Sequence, residues 1–156
     1  MRVFKLDCKI ILLFESLWVM ETFSLAQSSF STMGCGPGIE GISRLASGKC
    51  VPCNDAKPFT VEEASERLKD LPGWVLQSGS IQKEFRFKSY LGGLDFAYSL
   101  GKIAELENHH PDLFVGWRRV KVVLSTHAIK GLSQNDFVMA AKAELEYAKH
   151  SNSQRP

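Results

Sequence analysis

The chain has 156 residues, an apolar fraction of 44% and a formal net charge of +2. That is the composition of an ordinary globular protein with room for one domain and an extension. The charge is too small to point to nucleic acid by itself, and no apolar run reaches the ~18 residues that a membrane-spanning helix needs.

Residues 1–48 differ from the rest. Arg2, Lys5 and Lys9 precede the apolar run Ile10–Met20, and a Ser- and Gly-rich stretch follows. A basic start, a short apolar segment and small residues at Ser24 and Ala26 have the layout of a secretory signal, although Glu15 interrupts the run. The Ser-rich part with its early basic residues also has the look of an organellar presequence, with Asp7, Glu15 and Glu21 against it. Met20 and Met33 offer internal starts. The stretch is read as a removable presequence or disordered extension that contributes nothing to catalysis. Residues 49–59, GKCVPCNDAKPF with the preceding glycine, form a linker punctuated by Pro52 and Pro58. The four cysteines, Cys8, Cys35, Cys50 and Cys53, all precede the patterned part, so no disulfide framework is read from them. Cys50-x-x-Cys53 has redox or half-zinc spacing. There is no second pair to complete a zinc site, and the prolines frame a loop rather than the helix start a thioredoxin-like motif requires. Two loop thiols, or half of a zinc site shared between subunits, remain.

The folded part runs over 60–149, with a polar tail at 150–156. Thr60 and Glu63 make a capping-box pattern for a helix over about 60–70, with Ala64, Leu68 and Leu71 at helical spacing and Pro72-Gly73 as the stop. Trp74–Leu76 reads as a short strand, and Gln77–Ser80 as a turn. Ile81–Lys88 alternates, with Ile81, Lys83, Phe85 and Phe87 on one face, and completes a hairpin. Phe96, Leu100 and Ile103 set the period of an amphipathic helix over about 90–107. Gly92-Gly93 near its start point to a close packing contact or a late helix start. Val120, Val122 and Leu124 alternate in a further strand, with a short extra strand at Leu113–Val115. Ser133 caps a last helix reaching about Lys149, with Asp136 at its third position. The order α-β-β-α-β-α predicts an α+β fold, an antiparallel sheet with helices on one face. So small a domain buries a limited core, which favours oligomerisation.

Three of the four histidines, His109, His110 and His127, gather around Glu105–Pro111 and the end of the strand at 120–124. Pro111 restricts His110 to extended geometry, so the helix ends by His109. The pair therefore sits at a helix C-terminus, where the macrodipole favours a cation. Glu105, one turn before His109, is expected to accept a hydrogen bond from it. Histidine both gives and takes protons near neutral pH; a helix cap and a solvent-facing strand end are the plainer uses of the same residues. Adjacent histidines in an extended segment point apart, and no His-x-x-x-His spacing occurs, so no metal is assigned. No cysteine lies in the folded part to act as a nucleophile, and no phosphate-binding glycine loop is present.

The segments Glu107–Phe114 (ENHHPDLF) and Val120–Ala141 (VKVVLSTHAIKGLSQNDFVMAA) resemble the pterin-4a-carbinolamine dehydratases, and the resemblance extends over 60–149. It implies a four-stranded antiparallel sheet with three helices on one face. The implied reaction is dehydration of a 4a-hydroxytetrahydropterin to the quinonoid dihydropterin, in pterin recycling, without metal or organic cofactor. His109 and His127 would be the acid–base pair, and His110, Glu105 and Pro111 would belong to the pterin-binding set. It also implies a homodimer or homotetramer. The KCVPC linker and HHPDL look like plant members, some of them organellar, so a mitochondrial location is favoured, with cytoplasm or plastid as alternatives. Asn108, Leu113 and Ala128 depart from the residues common in the family, which leaves rate and pocket shape open. The alternative reading is a non-enzymatic relative of the same fold, a dimerisation cofactor or an assembly factor. A nucleic-acid face built from Lys83, Arg86, Lys88, Arg118, Arg119 and Lys121 is not adopted, because such residues usually form a solvated face.

Overall fold

The computed structural model describes residues 37–53 and 57–153. Most of the stretch read as a presequence, with Cys8 and Cys35, therefore lies outside the described residues, as do parts of the linker and of the tail. Four α-helices and four strands follow in the order α1 (Pro37–Ala46), α2 (Val61–Leu68), β1 (Val75–Gln77), β2 (Ser80–Arg86), α3 (Tyr90–Glu107), β3 (Asp112–Gly116), β4 (Arg119–Leu124), a 3-10 turn (His127–Ile129) and α4 (Gln134–Ser153). The strands form one antiparallel sheet in the order β1-β2-β4-β3.

Local chemistry accounts for the element boundaries. The Thr60–Glu63 capping box is formed, with Glu63 N–H donating to Thr60 Oγ1 at 3.2 Å and Thr60 N–H donating to Glu63 Oε2 at 2.8 Å. Ser78 and Gly79 both have positive φ, 50° and 76°, as a two-residue hairpin turn between right-twisted strands requires. Ser89 caps α3 by accepting from Gly92 N–H at 3.0 Å. Helix α3 thus starts on time, and the paired glycines serve close packing. Both are buried, and a Cβ on Gly93 would lie 3.4 Å from Val120 and 3.5 Å from Phe87.

The alternating strands turn one face to the helices. Ile81, Phe85, Val120, Val122 and Leu124 are buried there with Phe96 and Leu100 of α3 and Phe137, Ala140 and Ala141 of α4. Register pairs Ile81 with Leu124 and Phe85 with Val120. Lys83 lies within this face, where its ammonium meets Glu144 Oε1 at 2.6 Å and the Pro72 carbonyl at 2.8 Å. Of the basic residues considered for a nucleic-acid face, it is therefore committed inward. The outer face carries Glu84 paired with Arg86 at 2.8 Å.

Three features differ from the sequence reading. The fourth helix, α1, falls inside the stretch assigned to an extension: Ala46 is buried in the core, Ile42 and Leu45 pack against it, and Arg44 pairs with Asp70 at 2.7 Å. The cue was present, because Pro37 occupies the first helical position, where its missing N–H costs nothing. Helix α4 continues to Ser153, past the expected end near Lys149, helped by Lys149 and His150 pairing with Glu146 one turn back. Finally, β4 ends at Leu124, and His127 opens a 3-10 turn rather than ending the strand. Among the described residues, no helix is long and apolar enough to cross a membrane.

Candidate active site

The end of α3, the turn after β4 and the start of α4 meet at one edge of the sheet and leave a cleft of about 700 Å³. His109, His110 and His127 all line it, with Ser125, Thr126 and Asn135. Glu105 and Pro111, which the sequence reading placed in the site, are not among the lining residues.

The chain delivers the two adjacent histidines to different surroundings. Helix α3 closes on Asn108, which adopts the left-handed conformation (φ 50°, ψ 39°), and His109 N–H donates to the Ala104 carbonyl at 3.1 Å. Asparagine is one of the few non-glycine side chains that adopt this region, which gives a local reason for Asn108. Past this bend His109 turns inward and His110 outward. The expected hydrogen bond from His109 to Glu105 is not made. Glu105 Oε1 pairs instead with His110 Nε2 at 3.1 Å, and both side chains are largely solvent-exposed.

His109 has a buried partner to which the sequence reading had assigned no role in the site. Its Nε2 lies 2.8 Å from Asp136 Oδ1, and the Asp136 side chain is fully enclosed. Asp136 Oδ2 accepts from Ser133 N–H and from Thr126 Oγ1–H, both at 2.8 Å. Three donors on one buried carboxylate make an acceptor-only role, which requires that Nε2 carry the proton of this His109 tautomer. Nδ1 takes no part in that bond. With its proton committed to Asp136, Thr126 Oγ1 accepts from Ser133 Oγ at 2.7 Å. Ser133 Oγ in turn accepts from Asn135 N–H at 3.2 Å and from the Cys53 thiol at 3.5 Å. The capping pattern Ser133-x-x-Asp136 was the sequence signal for this network; its second use, as the support of His109, needed the tertiary contact.

His127 is exposed, and its imidazole makes no hydrogen bond to any described residue. Its backbone carbonyl accepts from Lys130 N–H at 3.2 Å, which closes the 3-10 turn and fixes where the side chain starts.

The linker also reaches the site. Cys50, Val51, Pro52 and Cys53 line the cleft, and the sequence reading had given them no part in it. Glu107 Oε2 accepts from Cys50 N–H at 2.9 Å, while Glu107 Oε1 holds Lys142 Nζ at 3.1 Å. The Cys50 hydrogen bond, aided by Lys142 and opposed by burial, holds the Glu107 carboxyl below the usual carboxylate range. Burial and the adjacent Glu107 charge push the Cys50 thiol up to about 12, so it is a poor nucleophile. Among the described residues, no group of three or more His, Cys, Asp or Glu side chains is arranged to hold a metal ion.

Comparison with known proteins shows what the chain is similar to. The family model described as Pterin 4 alpha carbinolamine dehydratase matches residues 57–145. A Rubrobacter xylanophilus protein carrying that family's name is 43% identical over 105 residues, which span 66% of this chain and 98% of the relative. The mitochondrial pterin-4-alpha-carbinolamine dehydratase 2 of Arabidopsis thaliana is 38% identical over 135 residues, covering 80% of this chain and 72% of its own. Among solved structures, a transcriptional coactivator/pterin dehydratase from Brucella melitensis aligns with a TM-score of 0.55 at 33% identity, over 58% of this chain and 98% of that one.

Proposed function

The chain belongs to the pterin-4a-carbinolamine dehydratase family, and from that premise we propose that it dehydrates a 4a-hydroxytetrahydropterin to the quinonoid dihydropterin by histidine acid–base catalysis, in pterin recycling. The observation that carries this reading is one cleft lined by both His109 and His127, with His109 held by the buried Asp136. The reaction breaks the C4a–O bond, forms a C=N bond to a ring nitrogen and releases water. It needs a proton delivered to the departing hydroxyl and a proton taken from that nitrogen. His109, with Nε2–H bound to Asp136, presents Nδ1 as the acceptor, and the carboxylate stabilises the imidazolium that forms. His127, unencumbered and open to solvent, supplies the proton to the hydroxyl. His110, oriented by Glu105, binds the pterin edge, and Pro111 fixes the backbone that separates the two adjacent histidines. Val51, Pro52 and Leu106 bring apolar surface to a cleft otherwise lined by imidazoles, hydroxyls and amides, which suits a flat bicycle with apolar faces and polar edges.

A dehydration assay on synthetic carbinolamine tests the assignment. His109→Ala and His127→Ala should each lower the rate by about 10²-fold or more, the usual scale for a positioned acid or base. Wild-type rates in both variants would overturn it.

The protein acts as a homodimer or homotetramer in this reading. β3 is an edge strand with Phe114 and Val115 exposed, and Trp117 and Tyr90 stack beside it, also exposed; an apolar strand edge of this kind invites a second copy. Sedimentation velocity showing only monomer at micromolar concentration would contradict it. The mitochondrial Arabidopsis relative and the basic, Ser-rich N-terminal stretch support a mitochondrial location, which organelle fractionation tests.

A further inference from the structure

The short strap Cys50–Cys53 is tied to the cleft more firmly than a linker requires. Asn135, which is buried, spends its whole amide on it. Its Oδ1 accepts from Val51 N–H at 3.1 Å, and its Nδ2 donates to the Val51 carbonyl at 2.7 Å and to Cys53 Sγ at 3.2 Å. On the other side, Glu107 accepts from Cys50 N–H at 2.9 Å. The two residues that hold the strap are neighbours of the groups read as catalytic: Asn135 precedes Asp136, and Glu107 lies just before Asn108 and His109 in the chain. A loop whose only task was to join α1 to α2 would satisfy its polar backbone groups with water at no cost. Here a buried amide and a partly buried carboxylate do so, at the lip of the cleft.

We propose that the Cys50–Cys53 strap is a wall of the pterin site, held there by Asn135 as a positioning residue, and that it governs how tightly the ring is bound rather than how fast it is dehydrated. The inference rests on the proposed dehydratase reading. The strap offers the cleft Val51 and Pro52, apolar groups that touch the ring faces and carry no proton. Acid–base work stays with His109 and His127. Loss of the clamp therefore weakens binding in ground and transition states alike, which raises KM and leaves kcat in place.

Two variants break the clamp from opposite sides. Asn135→Ala removes the amide; Val51→Pro removes the Val51 N–H at a position whose own side chain is exposed, and keeps the strap extended. Each should raise KM for synthetic carbinolamine about tenfold, the scale of one or two net hydrogen bonds, with kcat within about twofold of wild type. The double variant should be no worse than Asn135→Ala alone, because the one hydrogen bond that Val51→Pro removes is among the three that Asn135→Ala removes. The Kd for 7,8-dihydropterin, measured by equilibrium dialysis, should weaken in parallel. An unchanged KM and Kd in both single variants, or a fall in kcat at constant KM, overturns the strap proposal while leaving the dehydratase reading intact. A wild-type protein that binds dihydropterin without turnover sinks the dehydratase reading, and the strap proposal then stands or falls on the Kd shift. Wild-type protein that shows neither binding nor turnover overturns both.

Discussion

Replacing Asp136 with asparagine keeps the volume of the side chain and removes its charge and one of its two acceptor oxygens. The native carboxylate takes three donors at 2.8 Å: His109 Nε2 on Oδ1, and Ser133 N–H and Thr126 Oγ1–H on Oδ2. An asparagine must turn its carbonyl oxygen to the side with two donors, because an NH₂ there would face the Ser133 N–H directly. Its NH₂ then faces His109 Nε2. The imidazole can meet that donor only by moving its proton to Nδ1, the atom needed as the base. Stability and chemistry are thus both affected, by separate amounts. Hydrogen bonds to a charged group contribute about 1.5–3 kcal/mol and neutral ones about 0.5–1.5 kcal/mol. Weakening three of them should cost roughly 3 kcal/mol, a large share of the ~5–15 kcal/mol that holds a domain together. Loss of the base should lower kcat by about 10²-fold or more.

Urea unfolding and steady-state dehydration, run on the same Asp136→Asn preparation, separate the two effects. The expected protein is folded at low temperature, less stable, and slow, with KM changed little. Asp136→Ala should be less stable still, since it leaves two buried donors and an imidazole without a partner. A folded Asp136→Asn protein with kcat within about twofold of wild type would refute the reasoning: His109 would then need neither that tautomer nor that charge.

Glu107 supplies a pH signature. Its carboxyl is held below the ordinary value of 4.5, first by the Cys50 N–H and then by Lys142, against the opposing effect of burial. A depressed folded-state pKa gives stability that is complete above the unfolded value and lost as pH falls through the folded one. The urea midpoint should therefore drop more steeply below pH 4.5 in wild type than in Glu107→Gln; parallel curves would show that the strap anchor contributes nothing. At Asn108, with φ 50°, a β-branched side chain is strained, so Asn108→Val should lose about 1–2 kcal/mol and Asn108→Gly almost nothing in the same unfolding assay. Equal losses for the two would show that the left-handed bend is not what the position selects for.

The sheet and its helices were legible because each carries a period that a single face enforces. Ile81 and Phe85, Val120 and Leu124, and Phe96 and Leu100 all fall on the buried side as their spacing predicted. The three histidines were legible for a different reason, namely that adjacent imidazoles closed by a proline serve no core. Their partners were not. Helical spacing assigned Glu105 to His109, yet one left-handed residue at Asn108 rotates the chain and passes Glu105 to His110. The true partner of His109 lies 27 positions away and is brought in by the packing of α4 against α3. Helix α1 was missed because its two glycines and the Ser-rich stretch before it outweighed Pro37 and the apolar spacing behind it. The strap was missed because a Pro-framed CxxC offers no period at all, and its anchors, Glu107 and Asn135, read as ordinary polar residues of helix ends.

Those anchors and Asp136 have a property in common that explains how so small a domain keeps a precise site. Each does structural work at a helix terminus and site work at the same time. Asp136 accepts Ser133 N–H at the start of α4 and holds His109; Asn135 sits in the same turn and holds the strap; Glu107 ends α3, ties Cys50 and pairs with Lys142 of α4. The end of α3, the start of α4 and the strap are therefore locked to one another through groups that line or support the cleft. A substitution at any of the three should couple to the others beyond simple additivity. His110 and His127, by contrast, carry little of the fold: both are exposed, and in the proposed reading their replacement should remove chemistry while leaving the frame intact.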